Sequence, residues 1–186
     1  MPAIKQYQPA MLAPKSPKKL IAFSTLAILF LALLVGLLSY SILRKQAAPK
    51  VNFSTITGEK IDTQSLLGKV VVVNFWATTC SVCIAEMPQM VNLYNKFHGQ
   101  GLEFIAVAVR NDRPDYVMHF AQTRNLPFHV ALDLQGEAAK AFGDITLTPT
   151  TFIIGRDGKI VQRYVGKPNF NDMQVLLAQA LSASAI

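Results

Sequence analysis

The chain has 186 residues, 51% of them hydrophobic, with two cysteines and a formal net charge of +7. Its length gives room for one ordinary domain and a short extra segment, and excludes a two-domain protein. The charge does not point to nucleic acid, because residues 1–50 carry seven basic residues and no acid, whereas residues 51–186 carry 11 basic and 11 acidic residues; no nucleic-acid partner is expected.

Residues 1–19 hold Pro2, Pro9, Pro14 and Pro17 among lysines and read as a disordered basic tail. Leu20 to Leu43 then runs 24 residues without a charge. As a helix it would extend roughly 36 Å, enough to cross a hydrocarbon core of about 30 Å with some tilt, so a transmembrane anchor is expected at residues 20–43. The run is too long for a typical signal-peptide core. The small pair Ala47-Ala48 lies behind Arg44 and Lys45, which argues against cleavage. Four lysines precede the span and three basic residues follow it, so flanking charge does not decide orientation. The cysteine chemistry suits an oxidising compartment, which places the tail inside and the domain outside. Residues 44–50 read as a linker and residues 51–186 as the domain.

Within the domain, FSTITGEKI reads as a small hairpin around Thr57-Gly58, and TQSLLGK as a turn or short helix. Val70 to Trp76 is a continuous apolar run, as expected of a strand buried on both faces. From about Ser81 the period becomes helical, with Met87, Met90, Val91, Tyr94 and Phe97 in phase and Gly99 and Gly101 as stops. Leu102 to Val109 predicts a second buried strand, DRPDYVMHFAQTR a helix opened by Asp112 and Pro114, FHVALD a short strand, and QGEAAKAF another helix. TTFIIGRDGKIVQRYVG predicts a hairpin turning at residues 156–158, and FNDMQVLLAQALS a closing helix. Strands alternating with helices and ending in a hairpin predict an α/β fold with parallel strands joined by helical crossovers.

The two cysteines fall in CSVC, directly between the first buried strand and the helix that follows. That junction puts Cys80 at or just before the helix N-terminus and Cys83 in its first turn. Orphan backbone N–H groups and the helix dipole then favour a thiolate at Cys80, the expected nucleophile. Cys83, one turn in, can attack a mixed disulfide formed at Cys80 and release the partner reduced. A zinc site fails on ligand count, since only His98, His119 and His129 remain and they are scattered. A structural staple would close a loop of very few residues, where the entropic benefit is smallest. Copper delivery stays open, as two thiolates and one histidine, His129 being the candidate, can hold that metal.

Pro149 immediately precedes a strand, and a cis bond there would leave Thr148 as a free edge for an extended peptide. Trp76, Thr79, Thr148 and Pro149 are the expected substrate-contacting residues. Glu86 lies three residues after Cys83, on the helical face of Met90, Leu93 and Phe97, so a carboxylate either enters an apolar stripe or stays outside as an exposed first-turn acid. Pro88 removes an N–H from this helix and is expected to kink it.

VVVNFWATTCSVCIAEMP, followed by TPTTFIIGRDGKIVQRYVG, resembles the membrane-anchored thioredoxin-fold thiol-disulfide oxidoreductases of the TlpA and ResA type, over about residues 51–182. The resemblance implies a three-layer α/β/α thioredoxin fold with a mixed sheet, an N-terminal hairpin, a central insertion around residues 126–142 and a cis bond at Thr148-Pro149. It implies Cys80 as the attacking thiol, Cys83 as the resolving one and Glu86 as the acid under the site, with no cofactor. The implied setting is the bacterial inner membrane with the domain in the periplasm. There it would reduce protein disulfides in cytochrome c or copper-site maturation, with electrons from a membrane thiol carrier. The chain departs from the usual pattern at Thr79, where Trp is common, and at Ser81-Val82, where Gly-Pro or Glu-Pro is common. Asn74 stands where thioredoxin has a buried Asp. The Pro and Thr that peroxiredoxins place before their cysteine are replaced by Val73 and Ala77.

Overall fold

The computed structural model describes residues 28, 30–37 and 46–183, in two compact units that part after Arg44. In the first unit Ile28 and residues 30–37 are helical and exposed. Most of the expected anchor and all of the expected tail lie outside the described residues, and no helix among the described residues is long and apolar enough to cross a membrane.

The second unit is built on a five-stranded mixed sheet of order β5-β4-β3-β6-β7, formed by β3 (Val70–Trp76), β4 (Leu102–Ala108), β5 (His129–Leu132), β6 (Thr150–Ile154) and β7 (Ile160–Val165). β3 pairs parallel with β4 and β4 with β5, whereas β6 runs antiparallel to both β3 and β7. All seven residues of β3 and all five of β6 are buried, which is why these segments lack any polar alternation. Three helices cover one face: α1 (Ser81–Phe97), α2 (Pro114–Thr123) and α4 (Phe170–Ser182) pack on Val70, Val72 and Trp76. The other face, with Val71, Val73 and Phe75, is covered by the short α3 (Glu137–Ala141) and by an antiparallel ribbon of β1 (Asn52–Ser54) and β2 (Lys60–Asp62). The expected three layers are therefore present, but the second outer layer is only partly helical.

The ribbon turns through Gly58, whose φ of 85° is costly for any residue with a Cβ. It is tied to the sheet by the Ile56 N–H, which donates to Val130 O at 2.8 Å. The described part of the expected linker already belongs to this unit. Ala48 N–H donates to Gly158 O at 2.9 Å and Ile160 N–H to Gln46 O at 2.8 Å, so the chain enters beside the β6–β7 turn. Pro88 does not interrupt α1, which runs as one 17-residue helix. Its ring stands on the exposed side.

The strand register positions the site. Alternation along β3 sends Val72, Asn74 and Trp76 to the α1 face, and Asn74 lies directly opposite Thr151 of β6. The chain leaves β3 at Trp76, turns through residues 77–79 and enters α1. The sequence therefore delivers CSVC to the C-terminal edge of the central strand, where crevices form in α/β sheets.

Candidate active site

Cys80 is the N-cap of α1, with extended backbone (φ −89°, ψ 101°), and the Cys83 N–H points at its Sγ at 3.2 Å. That amide is one of the orphan donors of the helix start. Once the pair is reduced, the same amide together with the helix dipole favours negative charge on Cys80 sulfur. The two cysteines are joined in a disulfide, with Cα atoms 5.2 Å apart. They are not equivalent: Cys80 is half-buried, whereas Cys83 is 0% exposed.

The turn ahead of Cys80 is held by a residue whose place in the chain suggests a different role. Asp112, in the loop after β4, accepts from Thr78 N–H at 2.6 Å and from Thr78 Oγ1–H at 2.5 Å. Its position before Pro114 predicts the opening of α2, but the N-cap of α2 is Arg113. Asp112 braces the cysteine loop instead, because the β3–α1 and β4–α2 loops leave adjacent parallel strands.

On the other side, the peptide bond between Thr148 and Pro149 is cis, and Thr148 O lies 3.5 Å from Cys80 Sγ. Pro149 is buried, Thr148 half-buried and Thr79 exposed, so of these three Thr79 and Thr148 offer surface beside the sulfur, as do the exposed Ser81 and Val82 between the cysteines. Trp76 does not. It is 0% exposed and packs on Phe120 at a centroid distance of 5.2 Å, so its expected role as a substrate contact is corrected to one of support beneath the loop. The physical reason is its place in β3, which turns it to the inner face with Val72 and Asn74.

Glu86 enters the apolar stripe. It is 1% exposed, between Cys83 and Met90 on the inward face of α1, and accepts a hydrogen bond from Asn74 Nδ2 at 3.3 Å through Oε1. Asn74 Nδ2 also donates to Thr151 Oγ1 at 2.9 Å. Glu86 Oε2 is buried with no partner among the described residues. Burial pushes the Glu86 carboxyl up to about 7, against the opposing pull of the Asn74 amide and the Lys167 charge. A carboxylic acid one turn along the helix from a buried thiol, and titrating near neutrality, can hold or accept a proton there.

His129 is not brought to the cysteines. It opens β5, two strands from β3, with Nδ1 3.6 Å from Glu59 and Nε2 3.8 Å from Glu103. The expected third copper ligand therefore stands at the sheet edge. Among the described residues no group of three or more His, Cys, Asp and Glu is placed to hold a metal ion.

Residues 44–177 match the Redoxin family model. Over 131 residues, 70% of this chain and 74% of the other, the chain is 38% identical to the thiol-disulfide oxidoreductase ResA of Bacillus thuringiensis subsp. konkukian. Among solved structures it is similar to a putative thioredoxin from Neisseria meningitidis (TM-score 0.68, 30% identity, 74% of this chain and 91% of that one). It is also similar to StoA from Bacillus subtilis (TM-score 0.60, 25% identity, 69% and 96%). Matched over most of its length, and carrying its two cysteines as one disulfide at the start of α1, the chain belongs to the Redoxin family and is a ResA-like thiol-disulfide oxidoreductase with a thioredoxin fold.

Proposed function

We propose that the protein is a membrane-anchored reductase of extracytoplasmic protein disulfides, acting in cytochrome c or copper-site maturation and recharged by a membrane thiol carrier. The observation that carries the assignment of roles is the asymmetry of the pair: one sulfur is half-exposed at a helix N-terminus and the other wholly buried behind it. The reducing direction is supported by Ser81-Val82, which puts no His or Lys between the cysteines to favour the thiolate strongly. In the reduced form Cys80 thiolate attacks one sulfur of the target disulfide. A Cys80–target bond forms, the target S–S bond breaks and one target thiolate leaves. Cys83 then gives its proton to Glu86 and attacks Cys80 sulfur. The Cys80–Cys83 bond forms and the second target thiolate departs, so the target gains two electrons and the protein loses two. Thr79 and Thr148 lie on the surface that the target chain meets, and the buried cis Pro149 positions Thr148 there.

The anchor reading is supported by the 24 charge-free residues of Leu20–Leu43 between basic flanks, and the periplasmic side of a bacterial inner membrane by the oxidising compartment that suits a CxxC disulfide. Trapping with Cys83→Ser in cells tests the whole reading. The expected catch is an extracytoplasmic cysteine protein joined to Cys80, and a reporter fused after Ile186 is expected to be active outside the cytoplasm. Capture of cytoplasmic proteins only, with a reporter active only inside, would overturn it.

A further inference from the structure

Beside the disulfide opens a cleft of ≈ 760 Å³, whose lining includes Thr79 and Thr148, two neighbours of Cys80 that offer surface. Its other walls come from the β4–α2 loop, with Arg110 and Asn111, from the expected insertion around residues 126–142, with Lys140, and from the segment after it, with Asp144. The walls are fixed. Asp133 accepts from the N–H groups of Ala138 and Ala139 at 3.1 and 2.8 Å, which pins the start of α3. Gly136, at φ 74°, lets the Arg110 side chain lie across it, 3.6 Å from where a Cβ would be. Arg110 and Lys140 are both exposed, and neither is in an ion pair among the described residues. They outnumber the single acid, Asp144, that shares the cleft. Leu147, 63% exposed and next to Thr148, adds an apolar rim.

We propose that this cleft reads the target polypeptide around the attacked cysteine and favours chains carrying an acidic side chain near it, held by Arg110 and Lys140. The proposal rests on the disulfide-reductase reading above and names its substrate class. A cation pair at the mouth of a reactive site acts mainly through encounter rate and orientation, and its effect fades with salt. The inserted segment thereby gains a role in recognition, since it supplies the wall that carries Lys140.

The test uses the full chain in mild detergent, reduced with a dithiol and freed of excess. Three disulfide-linked peptides carry Asp, Asn or Lys two residues to either side of the cysteine, and bis(2-hydroxyethyl) disulfide serves as a neutral reference. The readout is the ratio of the Asp-peptide rate to the Lys-peptide rate within one protein preparation. A ratio of roughly five at low salt, falling toward one at about 0.5 M salt, is expected. In R110E/K140E the ratio should drop below one. Because it is taken within each preparation, a partly folded variant does not distort it, and the parent protein alone can still decide. A parent ratio near one at low salt, or the same ratio in parent and reversed variant, overturns the charge preference while leaving the reductase reading intact. Failure to reduce any of the peptides or the neutral disulfide overturns both.

Discussion

The two ends of β3 are built on opposite principles. At the start of the strand, Arg156 donates to Gly68 O at 2.6 Å, Leu181 O at 3.1 Å and Gln100 O at 3.2 Å, so one guanidinium ties four segments together. At the far end lie both of the buried side-chain polar atoms that lack a partner among the described residues, Trp76 Nε1 and Glu86 Oε2. Nearly all buried polar atoms in folded proteins are partnered, so two orphans at one end mark where the fold gives up stability. The satisfied end holds the domain together and the unsatisfied end keeps a proton site available beneath the disulfide.

The largest break in this contrast should come from the sulfur itself. Cys80→Ser is expected to abolish exchange with insulin or glutathione disulfide, by at least about a thousandfold, while Cys83→Ser should stop after the first attack and accumulate mixed disulfide. Stopped-flow and gel trapping read the two. Accumulation in Cys80→Ser rather than Cys83→Ser would reverse the roles.

Next in size is Glu86→Gln, which keeps the shape and removes the titration. Resolution of the mixed disulfide should slow by about a hundredfold at pH 8, with initial attack by Cys80 unaltered. In the parent, resolution should weaken as pH falls through about 7, where Glu86 takes up its proton, and the Gln variant should lose that dependence. The stability effect has the opposite sense. A carboxyl raised from 4.5 to about 7 binds its proton more tightly when folded, so its cost is absent below pH 4.5 and grows as pH rises through 7. The Gln variant should therefore be the more stable protein at pH 8, on the order of 2–3 kcal/mol, with little difference at pH 4.5. Urea unfolding of the oxidised forms measures this, and a less stable Gln variant at pH 8 would show that the orphan oxygen is not a burden.

At the other end, Arg156→Met should cost about 2 kcal/mol through three stranded carbonyls, without altering exchange per folded molecule. A change in rate at constant folded fraction would mean that the two ends are coupled. The smallest expected effect is Asp112→Asn, about 1 kcal/mol, seen as faster hydrogen exchange at the Thr78 amide. An unchanged Thr78 amide would remove Asp112 from the support of the cysteine loop.

Much of the unsatisfied end is legible in the sequence, because its signals are local: CSVC between a strand run and a helix period, Pro149 ahead of a strand, Glu86 in phase with Met90 and Phe97. Trp76 yields to the same logic, since strand alternation from Val72 places it inside, yet its proximity to the cysteines suggests surface. Asp112 and Asn74 act across 34 and 77 residues of chain, on Thr78 and Thr151, and nothing local marks such partners. Arg156 is harder still. It reads as an ordinary turn residue, and its value comes from carbonyls 25 to 88 positions away. His129 misleads for a related reason, since residue type suggests a ligand while only the sheet order tells how far it stands from the sulfurs.

The pairing of Gln46 and Ala48 with the β6–β7 turn also has a mechanical meaning. Tension entering the domain from the upstream chain meets the Ala48–Gly158 and Gln46–Ile160 hydrogen bonds first, beside the hairpin whose Arg156 grips three other segments. The load is taken at the stiff end of β3, and the cysteine loop at the other end stays outside the path of the force. Under the proposed anchoring, a domain held this way is pulled from upstream while the separation and alignment of Cys80, Cys83 and Thr148 are preserved.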